Sequence, residues 1–319
     1  MKIIDFETHQ STGPYLEATA KVEGRDAGGK SPFERSLSER VAVMDRYGID
    51  TQIVSCAGGF ERFDTQTAID VAQKTNNEFY EWGRQYPGRF MGYATLIPTS
   101  VEASIKELER CKSELGFKFW NTHSNFTSTY IDDDQYFPLL KRAAELNIAV
   151  YLHPGPPAID RLNGVGPILS GGLGYHVDTC ITLVRLIGKG VFDRLPGLKV
   201  LLGHLGEAMP FMIDRIDSMS GHQPAKPDSP AGGTSRPGNE HPVSYYFENN
   251  IFVTTSGNFS RAAFNCTRER LGIYRMLFGT DFPIEDYGRS LDFLNSLSLT
   301  QVEREMLFYA NAREIFGIE

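Results

Sequence analysis

Cysteine is scarce in this 319-residue chain: Cys56, Cys111, Cys180 and Cys266 stand far apart with no C-x-x-C pair. That excludes a disulfide framework and a cysteine-based zinc site, and the four read as isolated reduced thiols. Basic clusters are missing too. Lys and Arg total 32 against 40 Asp and Glu, a formal charge of −8, and no Lys/Arg run exceeds two residues. Binding a phosphate backbone is therefore excluded as the main task. No apolar run approaches the roughly 20 residues of a membrane span, and Asp5 falls where a signal peptide would need its apolar core. Neither G-x-G-x-x-G nor a P-loop occurs, and no solenoid repeat is visible. What remains is the expectation of a soluble, cytoplasmic protein acting on a small molecule, with neither nucleic acid nor membrane as partner.

Apolar content is ample for a core, at 41% hydrophobic residues with 12% aromatic. Eight short β-rich runs recur along the chain: KIIDF, TQIVS, FMGYATL, GFKFW, IAVYL, LKVLLG, IFVTTS and RMLFGT. Between most of them lie stretches with helical periodicity, at 34–48, 65–86, 101–114, 136–146, 178–192, 206–218, 259–272 and 299–316. Strand and helix in alternation imply parallel strands joined by crossovers, and near-continuous apolar strands imply burial on both faces. The count predicts an α/β fold, a single (β/α)8 TIM barrel filling residues 1–319 as one domain. An open doubly wound sheet is the alternative, but it would ordinarily carry a glycine-rich loop after its first strand. Three Gly/Pro/Ser-rich connections, 10–33, 154–176 and 218–243, are read as long loops with binding or covering roles.

Polar residues recur where these strands end. Glu7 and His9 close the first run as E-T-H, and positions i and i+2 of a strand share a face. His153 ends IAVYLH, His204 ends LKVLLGH, and Asp281 ends MLFGTD. Each alone could be a hydrogen-bonded cap, yet in a barrel all of them converge on one mouth. Carboxylates and imidazoles together suit one divalent ion, Zn²⁺ or Mn²⁺, and are too nitrogen-rich for Ca²⁺.

The set ExH, YLHPGPP, GHLGE and FGTDFPIED resembles the amidohydrolase superfamily in its decarboxylase branch, which acts on resorcylate, dihydroxybenzoate, carboxyvanillate and aminocarboxymuconate semialdehyde. The similarity runs through nearly the whole chain, with GIDTQIVS, GFKFWNTHSNFTSTYIDDDQYFPLL, VFDRLPGLKVLLGHLGEAMPFMIDRID and YYFENNIFVTTSGNFS in matching order. It implies metal ligation by Glu7, His9, His153 and Asp281, with His204 beside the metal and Glu207 holding its imidazole. Glu7 departs from the wider superfamily, where a histidine opens an HxH pair. Lys118 invites comparison with the carbamylated lysine of binuclear members, but its place inside GFKFW favours a mononuclear site.

Other residues stay open. Glu207 is either the orienting partner of His204 or a carboxylate at a helix start. Arg215, 11 residues after His204, would lie about 16 Å away along one helix. The resemblance makes it a contact for the substrate's carboxylate, reached through a broken helix or in a neighbouring subunit; an ion pair with Asp214 or Asp217 is the alternative. Asn121 and His123 follow the fourth strand and could line the pocket, NTHS being similar to the NSHT of carboxyvanillate-type members. His176 and Asp178 are read as a cap and a first-turn residue, and Arg35, Arg40 and Arg62 as candidates for an anionic ring substituent.

Two activities fit. The first is non-oxidative decarboxylation of a hydroxylated aromatic or related unsaturated carboxylic acid by a carboxy-lyase, with Asp281 as proton donor and His204 with Glu207 steadying the substrate's oxygens. No organic cofactor is then expected. The second is metal-dependent hydrolysis or hydration of a lactone, amide or conjugated acid on the same scaffold. The expected assembly is a homodimer or homotetramer.

Overall fold

The computed structural model describes residues 1–24, 31–56, 58–222 and 238–318. Eight strands follow the eight apolar runs: β1 (Ile4–Gln10), β2 (Thr51–Cys56), β3 (Phe90–Ala94), β4 (Phe119–His123), β5 (Ala149–His153), β6 (Val200–Leu202), β7 (Ile251–Thr254) and β8 (Met276–Leu277). They form one sheet in sequential order. Neighbours pair in parallel. The chain just after β8 closes the ring against β1, through Phe6 N to Phe278 O at 2.9 Å, Asp281 N to Glu7 O at 2.8 Å and His9 N to Phe282 O at 2.7 Å. The fold is a single (β/α)8 TIM barrel.

Alternation along the strands divides the core in two. Phe6, Ile53, Tyr93, Phe119, Tyr151 and Leu201 fill the barrel lumen. Val54, Trp120, Val150, Leu152, Val200 and Val253 face outward onto the helices. Phe316 packs against the lumen cluster. Lys118 Nζ donates to Phe316 O at 3.0 Å and Gly317 O at 2.6 Å, so this lysine ties down the C-terminal segment. The opposite end, where the strands' C-termini meet, is left for chemistry.

The helices α2 (Leu37–Tyr47), α3 (Thr65–Gln85), α4 (Val101–Ser113), α5 (Phe137–Glu145), α6 (Tyr175–Gly188), α7 (Met209–Met219) and α9 (Arg261–Leu271) match the periodic stretches. Three others were not anticipated. The connection 10–33 contains α1 (Gly13–Glu23), whose Pro14 stands in the first turn, where a missing N–H costs nothing; residues 25–30 lie outside the described residues. Helices α8 (Val243–Asn249) and α10 (Tyr287–Asn295) are short. The connection 154–176 is a series of 3-10 turns and one π turn (Ser170–Gly174) that runs directly into α6, three residues before its expected start. Within 218–243, residues 223–237 lie outside the described residues.

Candidate active site

Five side chains from four strand ends meet at the open mouth. The register of β1 against β2 shifts between Asp5 and Thr8. Such a bulge re-aims side chains, so Glu7 and His9 follow Phe6 into the lumen. His9 Nε2 approaches Asp281 Oδ1 at 3.0 Å, and His153 Nε2 lies 3.7 Å from Glu7 Oε1. One ligand atom from each of Glu7, His9, His153 and Asp281 falls within 4.8 Å of the others. Donors held 2.0–2.2 Å from a cation sit about 3.0–3.5 Å apart, so the spacing suits a single ion.

Hydrogen bonding orients this set. His9 Nδ1 is 2.7 Å from Ser55 Oγ, and that hydroxyl donates to Thr8 O at 3.3 Å. Ser55 therefore accepts from His9, leaving Nε2 with its lone pair. His153 Nδ1 donates to Pro154 O at 2.6 Å with the same consequence. Glu7 Oε2 accepts from Thr254 Oγ1 at 2.6 Å. Among the described residues, Glu7 Oε1, His9 Nε2 and His153 Nε2 are buried without a hydrogen-bond partner. Three orphaned acceptors aimed at one point are the signature of a metal cradle, because such atoms are costly to leave unpaired. Burial, reinforced by the neighbouring imidazoles, pushes His153 well below the usual histidine range and keeps it the neutral ligand a cation requires.

Beside the cradle lies a hydrogen-bonded triad. His204 Nδ1 contacts Glu207 Oε1 at 2.7 Å, while its Nε2 faces Glu7 Oε1 at 3.7 Å and Asp281 Oδ2 at 3.8 Å. His176 Nδ1 bonds the other oxygen of Glu207. Burial works against the charge on His204, but Glu207 and Glu7 outweigh it and raise the imidazole well above its ordinary range. Glu207 is pulled down to about 2: burial would raise it, and His204 and His176 overcome that. Asp281 behaves likewise, held well below the usual carboxylate range by His204 and His9 against its burial. Glu207 does not open a helix. His204, Leu205, Glu207 and Ala208 all have positive φ, at 49°, 61°, 56° and 67°, and α7 starts only at Met209. Asp281 shares this backbone, with φ 72°. Non-glycine residues in the left-handed region carry strain that concentrates at functional sites.

The mouth opens into a cavity of about 820 Å³, lined by His9, His153, His176, His204, Asp281 and Phe33 among others. Asn121 and His123 also line it, and the His123 ring lies 5.9 Å from that of His153. His176 was expected as a cap and is instead the second partner of Glu207. Asp178 is buried and accepts from Ser124 Oγ at 2.5 Å and Asn125 Nδ2 at 2.8 Å, joining the loop after β4 to α6. Arg215 lies exposed on α7 and is not brought to this cavity, and Asp214 pairs with Arg270 at 2.8 Å. Arg35 bonds backbone carbonyls nearby, Arg62 pairs with Glu23 at 3.3 Å, and the buried Arg40 holds Gln10, Gln52 and the His9 carbonyl. Ser55 and Thr254 are the participants that sequence reasoning passed over, and neither carried a signal; His176 was named, but in another role.

Comparison with known proteins identifies the family. The family described as amidohydrolase matches residues 26–318. A gamma-resorcylate decarboxylase of Polaromonas sp. strain JS666 is 31% identical over 290 residues, covering 88% of this chain and 86% of the relative. The crystal structure of 5-carboxyvanillate decarboxylase from Sphingomonas paucimobilis superposes with a TM-score of 0.89 at 28% identity, over 100% of this chain and 99% of that one. A dihydroxybenzoic acid decarboxylase from Polaromonas sp. JS666, solved with manganese and 2-nitroresorcinol bound, gives 0.85 at 29% identity over 99% and 97%. With a family match over most of its length and relatives sharing the whole barrel, the chain belongs to the amidohydrolase family, in its decarboxylase branch.

Proposed function

We propose that this protein is a metal-dependent carboxy-lyase that removes CO2, without oxidation, from a hydroxylated aromatic carboxylic acid. One observation carries the reading: the unpartnered ligand atoms of His9 and His153 line, with Asp281, a cavity of about 820 Å³, the buried Glu7 carboxylate grouped with them, beside a charged His204–Glu207 pair. Glu7, His9, His153 and Asp281 would hold Mn²⁺ or Zn²⁺, and the manganese bound in the Polaromonas relative favours the former. A cation held there would supply positive charge that lowers the cost of ionising the substrate's hydroxyl.

The chain's own groups move the proton. Asp281 rests as a carboxylate, so it accepts the proton released by the ortho hydroxyl and passes it to the ring carbon bearing the carboxylate. The C–H bond forms, the C–C bond breaks with its electron pair returning to the ring, and CO2 leaves. The product phenolate takes a proton from solvent. Charged His204, held by Glu207, lies against the substrate's developing oxygen charges. Exposed Phe211, Met212 and Met219 share α7 with Arg215 and support a homodimer or homotetramer in which this arginine reaches a neighbour's cavity. Four free cysteines support a cytoplasmic location.

The test is CO2 release by metal-replete protein from a panel of salicylate-type, resorcylate-type and methoxylated aromatic acids. Asp281→Asn is expected to lower kcat by about 10²- to 10⁴-fold. A hydrolysed or hydrated product without CO2, or full turnover by the variant, would overturn the reading.

A further inference from the structure

Between β2 and α3 the chain reads Gly58-Gly59-Phe60-Glu61, two glycines ahead of an acid that neither the metal cradle nor the proton path uses. Phe60 is buried against Tyr15 and Phe63, with ring centroids 5.3 and 5.7 Å away, and anchors the loop. Glu61 then folds back over Gly59. A Cβ at Gly59 would stand 2.0 Å from Glu61 Oε1, so only glycine admits the carboxylate in this position. Arg62, next in sequence, is engaged by Glu23 instead.

Glu61, Asn121, His123 and Trp120 line a narrow recess of about 40 Å³, which shares Cys56, Gly58, Asn121 and His123 with the large cavity. Among the described residues, Glu61 Oε2 and Asn121 Oδ1 are both buried without a hydrogen-bond partner. A carboxylate can only accept. Two acceptors without donors, at the wall of a cavity, match a ligand that brings the donor. The recess has room for a small ring substituent such as a hydroxyl or an amino group. His123, on its rim, has its ring centroid 5.9 Å from that of His153 of the cradle, so recess and cradle adjoin.

We propose that Glu61, with Asn121, forms a recognition subsite for a hydroxyl or amino group on the substrate's ring, on the side away from the carboxylate that is lost. The identity of the ligand as an aromatic acid rests on the decarboxylase reading; the subsite itself rests on the unpartnered acceptors. Its negative charge also disfavours a second carboxylate at that position, and a methoxy oxygen brings no donor to it. The subsite therefore selects dihydroxylated or amino-substituted rings over methoxylated or dicarboxylated ones. A site built to bond such a donor discriminates strongly against ligands that lack it.

Calorimetry on metal-replete protein tests this with two non-reacting product phenols, a diphenol and its monomethyl ether. Wild type is expected to bind the diphenol at least tenfold more tightly. Glu61→Gln and Glu61→Ala should each weaken the diphenol by roughly 10- to 100-fold and leave the ether within about twofold. Gly59→Ala, which displaces the carboxylate without removing it, should reproduce the loss. Unchanged affinity for the ether shows that the variants fold and keep their metal. No preference in wild type, equal losses for both ligands, or no loss at all overturns the subsite. Diphenol selectivity without CO2 release from any acid would instead overturn the decarboxylase reading and leave the subsite standing.

Discussion

Asp5 sits directly beneath the cradle, two residues before Glu7, with no exposure to solvent. It accepts from Glu7 N and Thr280 N, each at 3.0 Å, from Tyr287 OH at 2.5 Å and from Thr280 Oγ1. The carboxylate thereby links β1 to the turn that carries Asp281, and Tyr287 passes the connection through Gln52 to Arg40. Burial outweighs these bonds and raises Asp5 from 3.8 to about 6. For an acid raised on folding, the folded state holds the proton that the unfolded state has already lost. Stability from this group is therefore full below about pH 4 and falls as pH rises to about 6, by about 3 kcal/mol in the metal-free chain. In urea unfolding at pH 4 and pH 7, the advantage of wild type over Asp5→Asn should shrink by that order; an advantage constant with pH would mean that Asp5 ionises freely. Networks of this kind explain which residues the sequence did not disclose. Glu7, His9, His153, His204 and Asp281 were legible because each ends an apolar strand. Their holders were not, since Ser55 lies 46 residues from His9 and Thr254 lies 247 from Glu7, distances that only the closed barrel spans.

Strands were more legible than helices because β1 to β8 are buried on both faces and leave unbroken apolar runs. Helix α1 begins with Gly13-Pro14, which looks like loop chemistry until the first-turn position of Pro14 is known. Helix α10 buries only Tyr287, Ser290 and Leu294, too thin a stripe for periodicity to detect. Tight turns at the strand ends explain the Gly-His and Gly-Thr-Asp pairs that the sequence shows without explaining. At the end of β6, a Cβ on Gly203 would meet Tyr151 OH at 2.9 Å and both Glu207 Oε1 and Glu7 Oε1 at 3.1 Å. The strand can pass two buried carboxylates only because it has no side chain there. Gly203→Ala should push Glu7 and Glu207 apart by a few tenths of an ångström. Metal affinity, measured against a chelator, is expected to fall about 10- to 100-fold, as it does when the shell around ligands is disturbed. Equal affinity in the variant would show that the turn relaxes without moving Glu7.

At the scale of the whole molecule, a formal charge of −8 surrounds a site proposed to take an anion. Attraction at close range comes from His204, raised well above its ordinary range, and from the cation its neighbours would hold. These charges act over a few ångströms from largely buried side chains, so salt screens them little. The repulsion from the acidic surface acts at long range and is screened as the Debye length falls from about 30 Å at 0.01 M to about 8 Å at 0.15 M. The two contributions therefore respond differently to salt, and the distant one carries the response. KM for a hydroxybenzoate should fall by about two- to threefold over that range of ionic strength while kcat stays level, read from initial rates in a non-coordinating electrolyte. A KM that rises with salt would instead place a cationic funnel at the cavity entrance. Arg215 is the first residue to examine in that case, because it is an exposed cation on α7 beside the apolar Phe211 and Met212 and does not line the cavity itself. Repeating the titration with Arg215→Ala separates the two origins: loss of the rising trend assigns the funnel to this arginine, and its persistence assigns it to the barrel's own mouth.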